Sequence, residues 1–253
     1  MKSHSGILRV TVFLTLLLMV VAGANAGDKK AKPAGPKTVD SGTFGVFVKG
    51  TRVASETFTI EQSSNSNSSI IKSQLKETTG ANPASQKCTL EITPAGELVR
   101  YEWSQTSGGS LTLVPNNEFL LEKITPANST KAAEQPFLMP STSAVLDNNF
   151  FVHRELLVWR YLAAACKREG GTMKCQQIPG DFGVIVPQER VSLHVRLELV
   201  GKEKIKVHDT DRDLMRLNLK GDDLDWAMWV DDQDQFKLIK VAISADNTEV
   251  VRD

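Results

Sequence analysis

From Ser41 the chain alternates apolar and polar residues with a period of about two, the signature of half-buried strands. In "TFGVFVKG" Phe44, Val46 and Val48 share one side. In "TRVASETFTIEQ" Ala54, Glu56, Phe58 and Ile60 lie opposite Val53, Ser55, Thr57 and Thr59, and Gly50 supplies the hairpin turn between the two segments. "SSIIKSQLKETT", "QKCTLEITPAGELVRYEWSQ" and "SLTLVPNNEFLLEKI" continue the pattern, separated by turn signals at Gly80 to Pro83, Pro94 to Gly96, Gly108-Gly109 and Pro115 to Asn117. Lys72, Lys76, Glu91 and Arg100 are interleaved, so one face of this antiparallel meander meets water. The pattern dissolves in "TPANSTKAAEQPFLMP", Thr125 to Pro140, which reads as a loop. It resumes with "FGVIVPQ", "RVSLHVRLELVG", "EKIKVHD", "LMRLNLKG", "LDWAMWVDD", "FKLIKVAIS" and "TEVVR".

One stretch breaks the two-residue rhythm. "NNFFVHRELLVWRYLAAAC", Asn148 to Cys166, carries Phe150, Phe151, Leu156, Leu157, Val158, Trp159, Tyr161, Leu162 and a run of alanines around most of a helical circumference. Such a helix must be covered on more than one side. It is expected to be capped by Asn148 or Asn149, with Ala163 to Ala165 letting its last turn approach a sheet closely. The fold class that follows is mainly β with one long helix (α+β): an antiparallel meander forming a curved half-barrel that packs on a central apolar helix.

The first residues change the picture of where this domain works. Lys2 and Arg9, the apolar run Val10 to Val21 and the exit Ala24-Asn25-Ala26 form a secretory signal with cleavage expected after Ala26. The apolar run is shorter than the about 20 residues of a permanent span, and His153, Arg154, Glu155 and Arg160 interrupt the later helix. No cysteine near the cleavage point offers an acyl anchor. The expectation is a soluble periplasmic or secreted protein with no integral membrane span. Residues 27–42, rich in Lys, Ala, Pro and Gly, are expected to form a flexible tether, and 43–253 a single β half-barrel domain.

Charge excludes one class of partner. Without Lys2 and Arg9 the processed chain carries 28 basic against the full chain's 30 acidic residues, with no basic stripe of the kind nucleic-acid binders show. Cys166 and Cys175 flank "KREGGTMK", whose Gly170-Gly171 pair can turn the chain back on itself, so a local disulfide is expected. Metal binding by this pair lacks further ligands. Cys88 sits in the alternating "KCTLEI" and is expected to be a thiol facing the core.

Several fragments resemble active-site motifs and fail on their context. "HREL" at His153 and "DFG" at Asp181 look like kinase motifs, but the catalytic-loop Asn, the Gly-rich loop and its strand lysine have no counterpart. Asp209, Asp211 and Asp213 open like a calcium loop, yet Leu214 stands at position six and Lys220 at position twelve, so a solvated turn is expected. There is no Gly-x-Ser-x-Gly, no His-Glu-x-x-His and no Gly-x-Gly-x-x-Gly. His194 is expected on a solvated strand face and His153 in a structural role. No enzyme activity, metal or cofactor is therefore expected. Trp226 and Trp229, three apart on one strand, face opposite sides. The helix aromatics could wall an apolar cavity or simply fill the core. "DDQDQ", Asp231 to Gln235, reads as a hairpin turn.

The strand pair "GTFGVFVKGTRVASETFTI", the central apolar helix and the closing "LKGDDLDWAMWVDDQDQFKLIKVAI" with "TEVVR" resemble uncharacterised bacterial exported domains related to the lipoprotein-carrier (Lol-type) half-barrels. That resemblance spans most of the processed chain and rests on motifs of low specificity. It implies an incomplete antiparallel barrel wrapped around helices, with acyl chains or other lipophilic ligands between sheet and helix. Phe150, Phe151, Leu157, Trp159 and Tyr161 would then be the ligand-binding residues. The chain departs from the carriers in having one long helix where they use several short ones. A lipid, an acyl chain or a lipoprotein is the partner this implies. The alternatives are an envelope interaction module with a filled core, and an envelope hydrolase built on His153 or His194.

Overall fold

A computed structural model describes residues 35–80, 83–170, 172–222 and 224–253. The expected signal segment and its cleavage point lie outside the described residues. Antiparallel strands follow one another as β1 (Lys37–Val48), β2 (Thr51–Gln62), β3 (Ser69–Glu77), β4 (Ser85–Ile92), β5 (Leu98–Gln105), β6 (Ser110–Asn116), β7 (Phe119–Thr125) and β8 (Ala133–Phe137). The short β9 (Ala144–Val145) leads into the helix α1 (Val152–Ala165), and β10 (Cys166–Glu169) and β11 (Thr172–Cys175) form a hairpin. Then come β12 (Gly180–Val186), a 3-10 turn (Pro187–Glu189), β13 (Val191–Val207), β14 (Thr210–Lys220), β15 (Asp225–Asp231), β16 (Lys237–Ile243) and β17 (Thr248–Arg252).

All but β10 and β11 join one 15-stranded sheet in the order β8-β7-β6-β5-β4-β3-β2-β1-β17-β16-β15-β14-β13-β12-β9. The two meanders are thus sewn together at the chain's ends, with β1 pairing β17 from Phe44↔Arg252 to Val48↔Thr248. Every pairing is antiparallel except β9 with β12, which is parallel. The sheet remains open, with β8 and β9 as its edges, and it winds around α1 as the expected half-barrel. Residues 141–146 bridge its far parts: Leu98 donates its N–H to the Ser141 carbonyl at 2.9 Å, and Leu146 donates to the Ile185 carbonyl at 2.9 Å.

The core is where the alternation placed it. Phe44, Phe58, Ile60, Ile71, Leu90, Tyr101, Leu113 and Leu120 from one half, and Val195, Leu197, Leu217, Met228, Val241 and Val250 from the other, close on Phe150, Leu157 and Val158 of the helix region. A second, smaller cluster on the outer face gathers Val207, Leu214, Trp229, Ile239 and Val251. Trp226 belongs to the first cluster and Trp229 to the second, as their spacing requires. A bulge between Leu199 and Gly201 makes this second cluster possible. The extra residue flips the parity of β13, so Val195, Leu197 and Leu199 point inward while Ile205 and Val207 point outward. Gly201 takes φ +137, which only glycine adopts readily.

The structure revises four sequence-based expectations. Strand β1 begins at Lys37, so Lys37 to Gly42 are paired with β2 and not part of a tether; Asp40 within it is buried. The expected loop from Thr125 to Pro140 contains β8, an edge strand in which Pro136 is tolerated because its missing N–H faces no further strand. The helix starts at Val152, with Phe151 as its N-cap and no side-chain cap from Asn148 or Asn149. Ala163 and Ala164 are exposed and do not approach the sheet. Asp209 falls in the solvated β13–β14 turn, and Asp211 and Asp213 are exposed on β14 beside it.

Candidate functional site

The ionisable triplet His153-Arg154-Glu155 lies wholly inside, at the first turn of α1, and each member reaches a different part of the sheet. His153 Nδ1 accepts the Asp147 N–H at 3.2 Å, so the neutral ring carries its proton on Nε2, which faces Cys88 Sγ of β4 at 3.8 Å. Burial, with the Arg154 cation beside it, pushes the His153 pKa down to about 3. Burial and then the neighbouring Asp147 and Glu56 carboxylates raise Cys88 well above the usual thiol range. The pair is therefore a neutral imidazole donating to a thiol, as expected of a core-facing Cys88.

Arg154 donates through Nη1 to the Asp147 carbonyl and to the Phe150 carbonyl at 2.8 Å. Its guanidinium lies between Phe151 at 5.1 Å and Trp226 at 4.7 Å, whose ring faces cover it. Glu155 Oε2 accepts the Leu238 N–H of β16 at 2.9 Å and Arg252 Nη1 of β17 at 3.2 Å. Asp40 of β1 joins this group through Arg252 Nη2 at 2.7 Å. Burial and then Asp40 push Glu155 well above the usual carboxylate range. Burial opposes ionisation of Asp40, but hydrogen bonding by Glu155 and the Arg252 guanidinium outweighs it, so its carboxyl stays below the ordinary value. Glu155 is the neutral member and Asp40 the anion.

The helix N-terminus is capped from the sheet. Glu56 of β2, fully buried, accepts Phe151 N–H at 2.6 Å, Val152 N–H at 3.3 Å and the Ser73 hydroxyl at 2.8 Å. A carboxylate there complements the positive end of the helix, although burial still raises its pKa to about 7. Tyr101 donates to Asp147, whose other oxygen accepts the Asn149 N–H at 2.8 Å. The sequence pattern placed Glu56 on the apolar side of its strand, and that mismatch of residue and position was the signal for its role. Asp147, Tyr101 and Arg252 gave no such signal.

Two open clefts flank this buried polar hub, one at each end of the helix. The first, about 610 Å³, lies at the N-terminal end between Phe151, Trp226, Leu75 and Ile243. The second, about 720 Å³, runs along the outer face of α1, floored by Leu156, Trp159, Ala163 and Ala164 and walled by Val39, Ile60, Ile92 and Phe182. Beneath it a small inner cavity of about 40 Å³ lies against Leu90, Leu98, His153 and Leu157. Of the residues singled out from sequence, Phe151 lines the first cleft, Trp159 the second and Leu157 the inner cavity, while Phe150 and Tyr161 line none of these. Trp159 Nε1 donates to the Phe236 carbonyl at 3.0 Å, and the Tyr161 hydroxyl to the Ile178 carbonyl at 2.9 Å. Leu156, Ala163 and Ala164 were missed because the helix presented apolar residues on every side and did not single out a free face.

Cys166 and Cys175 form a disulfide at directly paired positions of the β10–β11 hairpin, which is compatible with an oxidising compartment. His194 is exposed, 3.9 Å from Asp181. Among the described residues no cluster of His, Cys, Asp and Glu is arranged to hold a metal, and no helix is long and apolar enough to cross a membrane.

The fold and clefts define a class: an open antiparallel half-barrel wound on a single helix, with open clefts beside that helix. Among solved structures the chain is similar to a β-barrel-like protein of domain of unknown function DUF1849 from Brucella abortus. The TM-score is 0.52 at 5% identity, covering 84% of this chain and 94% of that one. At that identity the likeness is one of fold. No protein-family model matches the chain, and no curated protein matches its sequence.

Proposed function

We propose that this is an exported, non-enzymatic protein that binds the acyl chain of a lipid or lipoprotein in the cleft along α1. The observation that carries the reading is the helix face itself. Leu156, Trp159, Ala163 and Ala164 are apolar; the first two are only half-buried where they pack against the core, the two alanines are exposed, and together they floor a cleft of about 720 Å³. That volume falls within the about 300–1,000 Å³ typical of ligand sites. A helix covered on one side by a sheet normally turns several charged residues to solvent, and this one turns two alanines and a single arginine, Arg160. The Lol-type resemblance supports the same reading, as does the half-barrel fold. The disulfide is in keeping with export.

The test is a titration with a fluorescent long-chain fatty acid, comparing the native protein with Ala163→Glu and Ala164→Glu. Both alanines are exposed, so each variant folds while placing a charge in the cleft. Saturable uptake by the native protein that both variants lose supports the reading. A second reading has support from Phe150, Leu157 and Tyr161, all enclosed in a packed core: an envelope interaction module that recruits a partner through its open sheet edges. Absence of uptake by the native protein would favour it.

A further inference from the structure

We infer that Arg160 is the head-group site of this cleft, and that the cleft selects a single-chain fatty acid with a free carboxylate. The inference rests on the acyl-binding reading above and adds the chemistry of the ligand's polar end.

Arg160 follows Leu156 and precedes Ala164 by one helical turn each, so the three form a row along the cleft floor. It is the sole charged side chain among the residues lining the cleft. Among the described residues it forms no ion pair. Arg252 and Arg190, by contrast, face Asp40 and Glu155, and Glu122. The position of Arg160 is set from below. The β4–β5 turn is closed by Gly96 N–H donating to the Thr93 carbonyl at 2.9 Å and Thr93 N–H donating to the Glu97 carbonyl at 2.9 Å. Gly96 takes φ +78, and a Cβ there would stand 3.3 Å from Arg160 Cδ. The arginine stem thus lies across the glycine, and its Nη1 donates to the Thr142 carbonyl at 2.7 Å. The Phe182 ring stands 5.6 Å from the guanidinium carbon.

One N–H of the guanidinium is engaged in this way, and a planar fork of further donors is left for an anion. A fork of this shape matches a carboxylate with two parallel hydrogen bonds. The charge count narrows the ligand. A single cation beside an apolar cleft complements a single negative charge, and no acidic side chain lines the cleft to receive the ammonium of a zwitterionic head group. A fatty-acid carboxylate with its chain over Leu156, Trp159 and Ala163 satisfies both ends.

The experiment is a competition titration in which dodecanoate, dodecanol and dodecylphosphocholine displace a fluorescent acyl probe from the full chain, all below their aggregation concentrations. The native protein is expected to bind dodecanoate about tenfold more tightly than dodecanol, the size of one charge-assisted hydrogen-bonded contact, and more tightly than dodecylphosphocholine. Arg160→Met is expected to bind dodecanol as the native protein does and to lose the preference, while Arg160→Lys keeps part of it. Equal affinity of the native protein for dodecanoate and dodecanol would overturn the role of Arg160 and leave acyl binding intact. So would an undiminished preference in folded Arg160→Met. Failure to bind any of the three would overturn the acyl-binding reading, and this inference with it.

Discussion

At the scale of single residues, the unusual investment is the burial of His153, Arg154, Glu155 and Glu56 around the start of one helix. Buried ionisable groups make stability depend on pH in a direction that each pKa fixes. Burial raises Glu56 from 4.5 to about 7, so across that interval the folded chain holds a proton that the unfolded chain has released. Its contribution to stability is complete below pH 4.5 and is lost as pH rises to about 7. His153 works the other way. Burial and Arg154 lower it from 6.5 to about 3, so the unfolded chain takes up a proton that the folded chain refuses, and stability is lost as pH falls through that interval. Denaturant unfolding of Glu56→Gln and His153→Asn against the native protein separates the two. Relative to native, Glu56→Gln is expected to gain on going from pH 4.5 to 7.5, by about 3 kcal/mol at most. His153→Asn is expected to gain as pH falls from 6.5 to 3.5. A difference that stays constant with pH would contradict these assignments. Glu155→Ala leaves the Leu238 N–H without its side-chain acceptor, while Arg252 keeps Asp40, and a loss of about 1–3 kcal/mol is expected in the same measurement.

At the scale of elements, periodicity was a good guide where one face is buried and a poor one where a partner decides. The alternation from Val191 to Leu199 read correctly as strand, and so did the inward faces of β1 and β2. Gly201 was a local mark of the bulge, but nothing along the strand told that its inward and outward faces exchange there and bring Ile205 and Val207 to the outer cluster around Trp229. Gly201→Val is expected to destabilise the outer half of the β13–β14 hairpin, since φ +137 does not suit a branched residue. Faster amide exchange at Ile205 to Val207 in that variant would show it. The cap of α1 was misread for the same kind of reason. Asn148 and Asn149 are near in sequence, but the capping carboxylate comes from Glu56, far away along the chain. Cys166 and Cys175 were legible because their contact is local. Replacing both with serine removes a cross-link that closes a short loop, with an expected cost of about 2.5 kcal/mol in the chain-entropy account. Equal unfolding midpoints with and without reductant would contradict it.

At the scale of the whole molecule, the class of fold was readable and the free face of the helix was not. An all-round apolar helix told that sheet must surround it, yet the sheet stays open, and Leu156, Trp159, Ala163 and Ala164 are left lining a cleft. Which residues those would be depends on how far the strands wind, a property of the assembled sheet and not of α1. Phe150 and Tyr161 were equally apolar in sequence and are enclosed in the core. Acyl binding requires that this cleft be occupied by a lipophilic molecule where the protein works. Native mass spectrometry of the protein from its native host, followed by denaturing lipid extraction of the same sample, measures this directly. The expected result is a bound acyl species that is released on denaturation and missing from the folded Ala163→Glu variant. A bare polypeptide mass, with no uptake of added fatty acid, would contradict it.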